Sequence, residues 1–222
     1  GYTCSQTLNV TAITTDPTAA NPLILHGCDS SGKRLSIPDP DWTSDLPLWD
    51  NTGIPNISTT TNIATIDCAH VLARLLRFSA SGRTFGGVIE TMAWGDWLEI
   101  VSSAANSNAS GVGVNLSRLS NSYIGMTGSA YSRALSFSTN RVDNVRLQGV
   151  TGSSGNRHGV DYQGTGNVVK LNRVTATGFG GDGFNSSTTN TAHFAELRNC
   201  NFVNNTGDGI QFHSTASQTS QH

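Results

Sequence analysis

A chain of 222 residues is long enough to bury a sizeable core in one or two domains. Its net charge of −2 gives no electrostatic basis for binding nucleic acid or an anionic membrane surface, and no apolar run approaches the length that crosses a bilayer. Only 13% of residues are charged and 24 are glycine; with abundant Ser, Thr and Asn this excludes a highly charged disordered segment and suits a β-solenoid or a secreted or virion surface.

Residues 1–62 show no clear period. Proline and acidic turns cluster at Pro38-Asp39-Pro40-Asp41-Trp42 and Leu46-Pro47-Leu48-Trp49-Asp50, which reads as an irregular or short-strand segment, an adaptor to another part of an assembly. Residues 63–83 carry the pattern of a capping helix. Asp67 is a good N-cap, Val71, Leu72, Leu75, Leu76 and Phe78 make an apolar face with Arg74 and Arg77 outside it, and Ser81-Gly82 ends it. Such a helix would cover the open strand edges of a solenoid end.

From residue 84 to 222 the chain repeats. Gly113-Val114-Asn115-Leu116 returns as Ala134-Leu135-Ser136-Phe137, Gly159-Val160-Asp161-Tyr162, Gly183-Phe184-Asn185-Ser186 and Gly209-Ile210-Gln211-Phe212, at steps of 21, 25, 24 and 26 residues. Between these lie Val145-Arg146-Leu147, Val169-Lys170-Leu171 and Ala195-Glu196-Leu197. Apolar residues alternate within each unit, which means short strands with one face inward, separated by Gly, Asn, Ser and Thr turns. Two or three strands per coil of roughly 24 residues, rungs about 4.8 Å apart, describe an all-β parallel β-helix. Stacking by these motifs puts Val150, Val174 and Cys200 in one inward ladder and Leu147, Leu171 and Leu197 in the next. It puts Arg146, Lys170 and Glu196 in one outward row, Gln148, Asn172 and Arg198 in another, and Asn115, Ser136, Asp161, Asn185 and Gln211 in a third. A new repeat begins at Gly209 shortly before Gln221-His222, so further coils are expected to follow in the complete protein.

The residue before each first-strand position also stacks: Arg133, His158, Asp182, Asp208. Two carboxylates on adjacent rungs have the spacing of an acid and a nucleophile in retaining glycoside cleavage, and their repulsion would raise one pKa. Asp182 and Asp208 are therefore the catalytic candidates, beside the structural alternative that Asp-Gly is a preferred turn pair. His158 and the outward Asp161 are substrate-binding candidates. So are Trp94 and Trp97, because aromatic faces stack on the apolar C–H faces of sugar rings; their spacing of three breaks strand alternation, so a turn presents at least one. Arg146, Lys170, Arg173 and Arg198 supply cations on one face with no calcium-type acidic cluster. No metal or cofactor motif is present. Cys4, Cys28, Cys68 and Cys200 are too sparse for a disulfide scaffold; Cys4 and Cys28 would pair only in an oxidising compartment. The six Asn-X-Ser/Thr sequons match the composition and are no proof of secretion.

Gly207-Asp208-Gly209-Ile210-Gln211 and Asn199-Cys200-Asn201-Phe202-Val203-Asn204-Asn205 resemble the right-handed parallel β-helix repeats of the pectate-lyase-like group over roughly residues 84–222. The helix pattern, the Gly86-Gly87 turn and the coils after it look like the start of a bacteriophage tailspike β-helix. What this resemblance implies is a homotrimeric spike of the virion tail. It would bind, and often cleave, bacterial surface polysaccharide and join other tail proteins through its N-terminal segment. A non-catalytic adhesive or structural spike module and a secreted polysaccharide lyase stand as alternatives, because fold alone does not carry function.

Overall fold

The computed structural model describes residues 3–4, 8–10, 17–18, 20–29, 31–36, 48–50, 64–66, 70–80, 89–91, 94–102, 118–127, 133–137, 140–150, 157–162, 168–186 and 194–212. They form an all-β parallel solenoid, with no helix among the described residues. The strands are β1 (Thr3–Cys4), β2 (Leu8–Val10), β3 (Leu23–His26), β4 (Leu48–Asp50), β5 (Ala64–Ile66), β6 (Val71–Ala80), β7 (Ile89–Thr91), β8 (Trp94–Ser102) and β9 (Arg118–Met126). They continue as β10 (Arg133–Phe137), β11 (Asn140–Gln148), β12 (His158–Tyr162), β13 (Val168–Thr177), β14 (Phe184–Ser186), β15 (Phe194–Arg198), β16 (Asn201–Val203) and β17 (Ile210–Phe212).

Three successive coils are complete in outline, β10–β11, β12–β13 and β14 with β15 and β16, each short strand followed by a long one. The short strands stack in the order β10-β12-β14-β17 and the long ones in the order β6-β8-β9-β11-β13-β15. Of the N-terminal strands, β3 and β4 both pair with β6 and β1 pairs with β4, in the sheet of the long strands, while β2, β5 and β7 form a separate three-stranded sheet. All the strand pairings are parallel.

Each long strand bends at one residue in the left-handed region: Leu75 (φ 55°), Trp97 (54°), Asn121 (46°), Asn144 (54°), Arg173 (54°) and, between β15 and β16, Asn199 (53°). The flanking registers put these residues opposite one another, so the bends form a column and one hydrogen-bonded sheet wraps two faces of the solenoid. Asn is among the few side chains that tolerate this conformation, and it holds three of the six positions. Asn144 Nδ2 also donates to Asn121 Oδ1 at 2.8 Å, linking two rungs.

The bend replaces the helix expected over 63–83. Val71–Ala80 is a strand pairing in parallel with β8. Val71 and Ala73 face inward before the bend, Leu76 and Phe78 after it, and Leu75 at the bend is buried too. A left-handed residue shifts the period-two pattern by one position. Apolar residues at 71, 75, 76 and 78 then imitate the three-and-four spacing of a helix face. Asp67, Ser81 and Gly82, its expected caps, lie outside the described residues.

The same bend corrects one register. Val145 and Leu147 stand opposite Val174 and Ala176, and Val142 opposite Leu171. The ladder with Val174 and Cys200 therefore contains Val145, not Val150, and Leu171–Leu197 continues to Val142, not Leu147. In the outward row, Arg141 rather than Arg146 precedes Lys170 and Glu196. Each coil carries two apolar triplets, one on each side of the bend, and Val145-Arg146-Leu147 belongs to the second. Lys170 with Glu196, Asn172 with Arg198 and the row Ser136, Asp161, Asn185, Gln211 are in register as expected, but Asp143, not Gln148, precedes Asn172, and Asn115 lies outside the described residues.

The core is the filled interior of the stack, with Leu98, Ile100, Leu119, Ile124, Leu147, Val160, Leu171, Phe179 and Phe184 all at 1% exposure or less. Each such side chain contributes about 1.5–3 kcal/mol through burial. The recurring glycines are a packing requirement. A Cβ on Gly159 would stand 2.7 Å from Ala176 Cβ and from the Gly183 carbonyl oxygen; on Gly183 it would stand 2.6 Å from Phe202 Cβ. Asn205 ties coils together: its Oδ1 accepts from the Phe179 amide at 3.0 Å and its Nδ2 donates to the Ala176 carbonyl at 3.2 Å.

Candidate functional site

Four residues chosen from sequence, His158, Asp161, Asp182 and Asp208, gather along the short-strand sheet and the turns leading into it. Arg133 and His158 are in register, and the Gly159 and Gly183 amides donate to the carbonyls of Asp182 and Asp208 one coil on. Asp182 is buried at 5% exposure while Asp208 is exposed. Both Asp182 oxygens are engaged: Oδ1 accepts the Asp208 amide at 2.8 Å and Oδ2 lies 3.1 Å from His158 Nδ1. That same Nδ1 lies 3.1 Å from the Asp182 amide nitrogen. It accepts from the amide when the ring is neutral and donates to the carboxylate when the ring is protonated. Gly207 leaves the space that Asp182 Oδ1 occupies. This is how a carboxylate locks one coil onto the next.

Asp161 and Asn185 point away from the core ladder in register, yet both are buried, at 6% and 4% exposure. Asp161 Oδ2 pairs with Arg133 Nη1 at 2.5 Å, and its Oδ1 accepts from Asn185 Nδ2 at 2.9 Å. A buried carboxylate needs such partners to remain charged. The outward exposure expected for this row is therefore absent at Asp161 and Asn185.

A second arrangement lies on the other side of the solenoid, where the long strands bend. A groove of about 630 Å³ runs across four rungs there. Its first row is the left-handed column itself, Trp97, Asn121, Asn144 and Arg173. Its second is the outward row two residues on, Glu99, Tyr123, Arg146 and Thr175, with Val101 beyond. Trp97 and Tyr123 are half-buried, and Arg146 and Arg173 are exposed. Glu99 is only 3% exposed and pairs with Arg77 Nε at 2.7 Å. Arg173 pairs with Asp143 at 3.0 Å. Desolvation pushes the Tyr123 phenol above its ordinary pKa, against the pull of Arg146 and with the push of Glu99, so the hydroxyl keeps its proton at neutral pH.

Of the six residues chosen from sequence, only Trp97 lines this groove. It sits at the bend, which is why its spacing from Trp94 defies alternation. Trp94 stands earlier on β8, in register with Leu72 and Arg118. Arg146 and Arg173, read as surface cations, also line it. Glu99, Tyr123, Asn121 and Asn144 escaped notice, because no motif joins residues 22 or more apart unless the bend column is recognised. The signal was present as Asn121, Asn144 and Asn199, each interrupting an apolar alternation.

Among the described residues no cluster of three or more His, Cys, Asp or Glu is placed to hold a metal ion, and no helix is long and apolar enough to cross a membrane. Cys28 and Cys200 are free thiols. Comparison with protein-family models, with curated proteins and with solved structures finds no match to this chain.

Proposed function

We propose that this chain is the right-handed β-helical module of a tailspike-like receptor-binding protein, and that it holds bacterial surface polysaccharide in the groove at the strand bends. The observation that carries this reading is the groove itself: it spans several rungs and sets Trp97 and Tyr123 among asparagines and arginines. Aromatic faces take the apolar faces of sugar rings, and amides and guanidinium groups take hydroxyls. A groove along stacked rungs suits a chain-like ligand better than a compact one. In this reading the module is one arm of a homotrimer on a virion tail.

The same geometry favours binding over cleavage by Asp182 and Asp208. The Asp182 carboxylate is buried and engaged on both oxygens, and neither residue lines the groove. Glycoside cleavage by two carboxylates needs both of them beside the scissile bond.

The test is binding of the chain to a panel of purified capsular polysaccharides and O-antigens. Trp97→Ala is expected to weaken binding roughly tenfold, and Asp208→Asn to leave it unchanged. Reducing-end release or absorbance at 235 nm that disappears in Asp208→Asn would replace binding by catalysis at that pair.

A further inference from the structure

We propose that the groove selects an acidic glycan: a sugar ring stacks on Tyr123, whose hydroxyl end lies against Gly125, and Arg146 takes the carboxylate of a uronic or similar acidic sugar. This rests on glycan binding in the groove and adds the class of glycan.

The platform comes from a missing side chain. Tyr123 and Gly125 are two apart on β9 and so share a face of the strand. The space a Cβ on Gly125 would need is held by the Tyr123 ring, with the hydroxyl 2.8 Å, Cε1 2.9 Å and Cζ 3.1 Å from that position. The phenol therefore lies along its own strand instead of standing away from the sheet. The hydroxyl end of the ring fills the place of the missing side chain. A ring held in this way loses little rotamer freedom when a sugar stacks on it.

The charge comes from the bookkeeping of neighbours. Glu99, Tyr123 and Arg146 are in register on three consecutive rungs. Glu99 is neutralised by Arg77, and Arg173 by Asp143. Arg146 is exposed and pairs with no carboxylate among the described residues; its described contact is Gln148 Oε1 at 3.5 Å, the limit of a hydrogen bond. A guanidinium left open beside a stacking surface matches the planar carboxylate of an acidic sugar bidentately.

The test uses the whole chain on an array of bacterial oligosaccharides, half containing uronic or sialic acids and half neutral, followed by titration of the bound glycans at 50 and 300 mM NaCl. Binding to acidic glycans is expected, weaker at high salt and reduced about tenfold or more in Arg146→Gln. Gly125→Ala, which lifts the ring, is expected to lose a similar factor. Arg146→Gln is a surface change that leaves the fold intact, so the charge inference is testable even if Gly125→Ala does not fold. Equal binding of neutral and acidic glycans, lost in Trp97→Ala but kept in Arg146→Gln, would overturn the acidic selection and leave glycan binding standing. Unchanged binding in a folded Gly125→Ala would overturn the platform. No binding to any glycan at millimolar concentration would overturn both readings.

Discussion

Glu196 shows how a single residue on the outside of the stack gains its charge state from its neighbours. Burial pushes its carboxyl up, but Arg198 and Lys170 outweigh that and hold it below the usual carboxylate range. Lys170 is 3.4 Å away on the adjacent rung, and Arg198 is on the same strand. A carboxylate that binds its proton more weakly in the folded chain stabilises the fold above its unfolded pKa, about 4.3. It loses that contribution as the pH falls through the folded value. Glu196→Gln is therefore expected to melt slightly lower than the parent at pH 7. The gap should close as the pH drops below about 4, and it should narrow at pH 7 in 0.5 M salt, which screens exposed pairs. Thermal melts along an acid titration check this; a gap that does not shrink as the pH falls would mean that packing, not charge, is lost. The Lys170–Glu196 pair was legible from sequence because the two residues occupy equivalent places in neighbouring repeats. Arg198 was not read as Glu196's partner, because a contact two residues along one strand depends on side-chain direction, not on repeat register.

At the scale of the element, the bend in the long strand governs most of what is distinctive here. It turns one strand into two faces, it places Trp97 at a corner, and it opens the groove beside the column. A left-handed conformation costs most side chains roughly 1–2 kcal/mol, and a β-branched one more than Asn. Asn144→Val is expected to cost about 2–3 kcal/mol, from the strained φ of 54° and from loss of the bond to Asn121. Urea unfolding of Asn144→Val beside Asn144→Gly separates the two contributions, since glycine removes the hydrogen bond without the strain. A valine variant as stable as the glycine variant would refute the strain. The bend also explains the misread helix at Val71–Ala80 and the shifted register at Val145-Arg146-Leu147. Period-two reading assumes an unbroken strand, and one left-handed residue moves every later side chain to the other face.

At the scale of the whole molecule, the solenoid is quasi-one-dimensional: each coil is stabilised by its own packing and by the coils on either side. Among the described residues β12 and β14 are wholly buried, whereas at β16 and β17 Val203, Ile210 and Phe212 are 42%, 45% and 48% exposed. Amide hydrogen exchange is therefore expected to be slowest in His158–Tyr162 and Phe184–Ser186 and at least tenfold faster in Ile210–Phe212. Uniform protection across these strands would mean that the stack opens only as one unit. The recurring Gly159 and Gly183 belong to this scale too, because each makes room for the next coil's backbone and so sets how closely rungs approach.

The amino-acid order by itself determined the parallel stack, the coil length and the short-strand register, because every coil repeats the same local solution and self-similarity survives without knowledge of contacts. It also determined that Asp182, Asp208 and His158 stand in neighbouring coils. Only the tertiary structure decided that Asp182 locks coil to coil, that Asp161 is buried against Arg133, and that the long strands bend. It alone brought Trp97, Tyr123 and Arg146 into one groove. The physical reason is that register is a property of sequence spacing, whereas burial, side-chain direction and the conformation of a single residue depend on what the neighbouring coil places there.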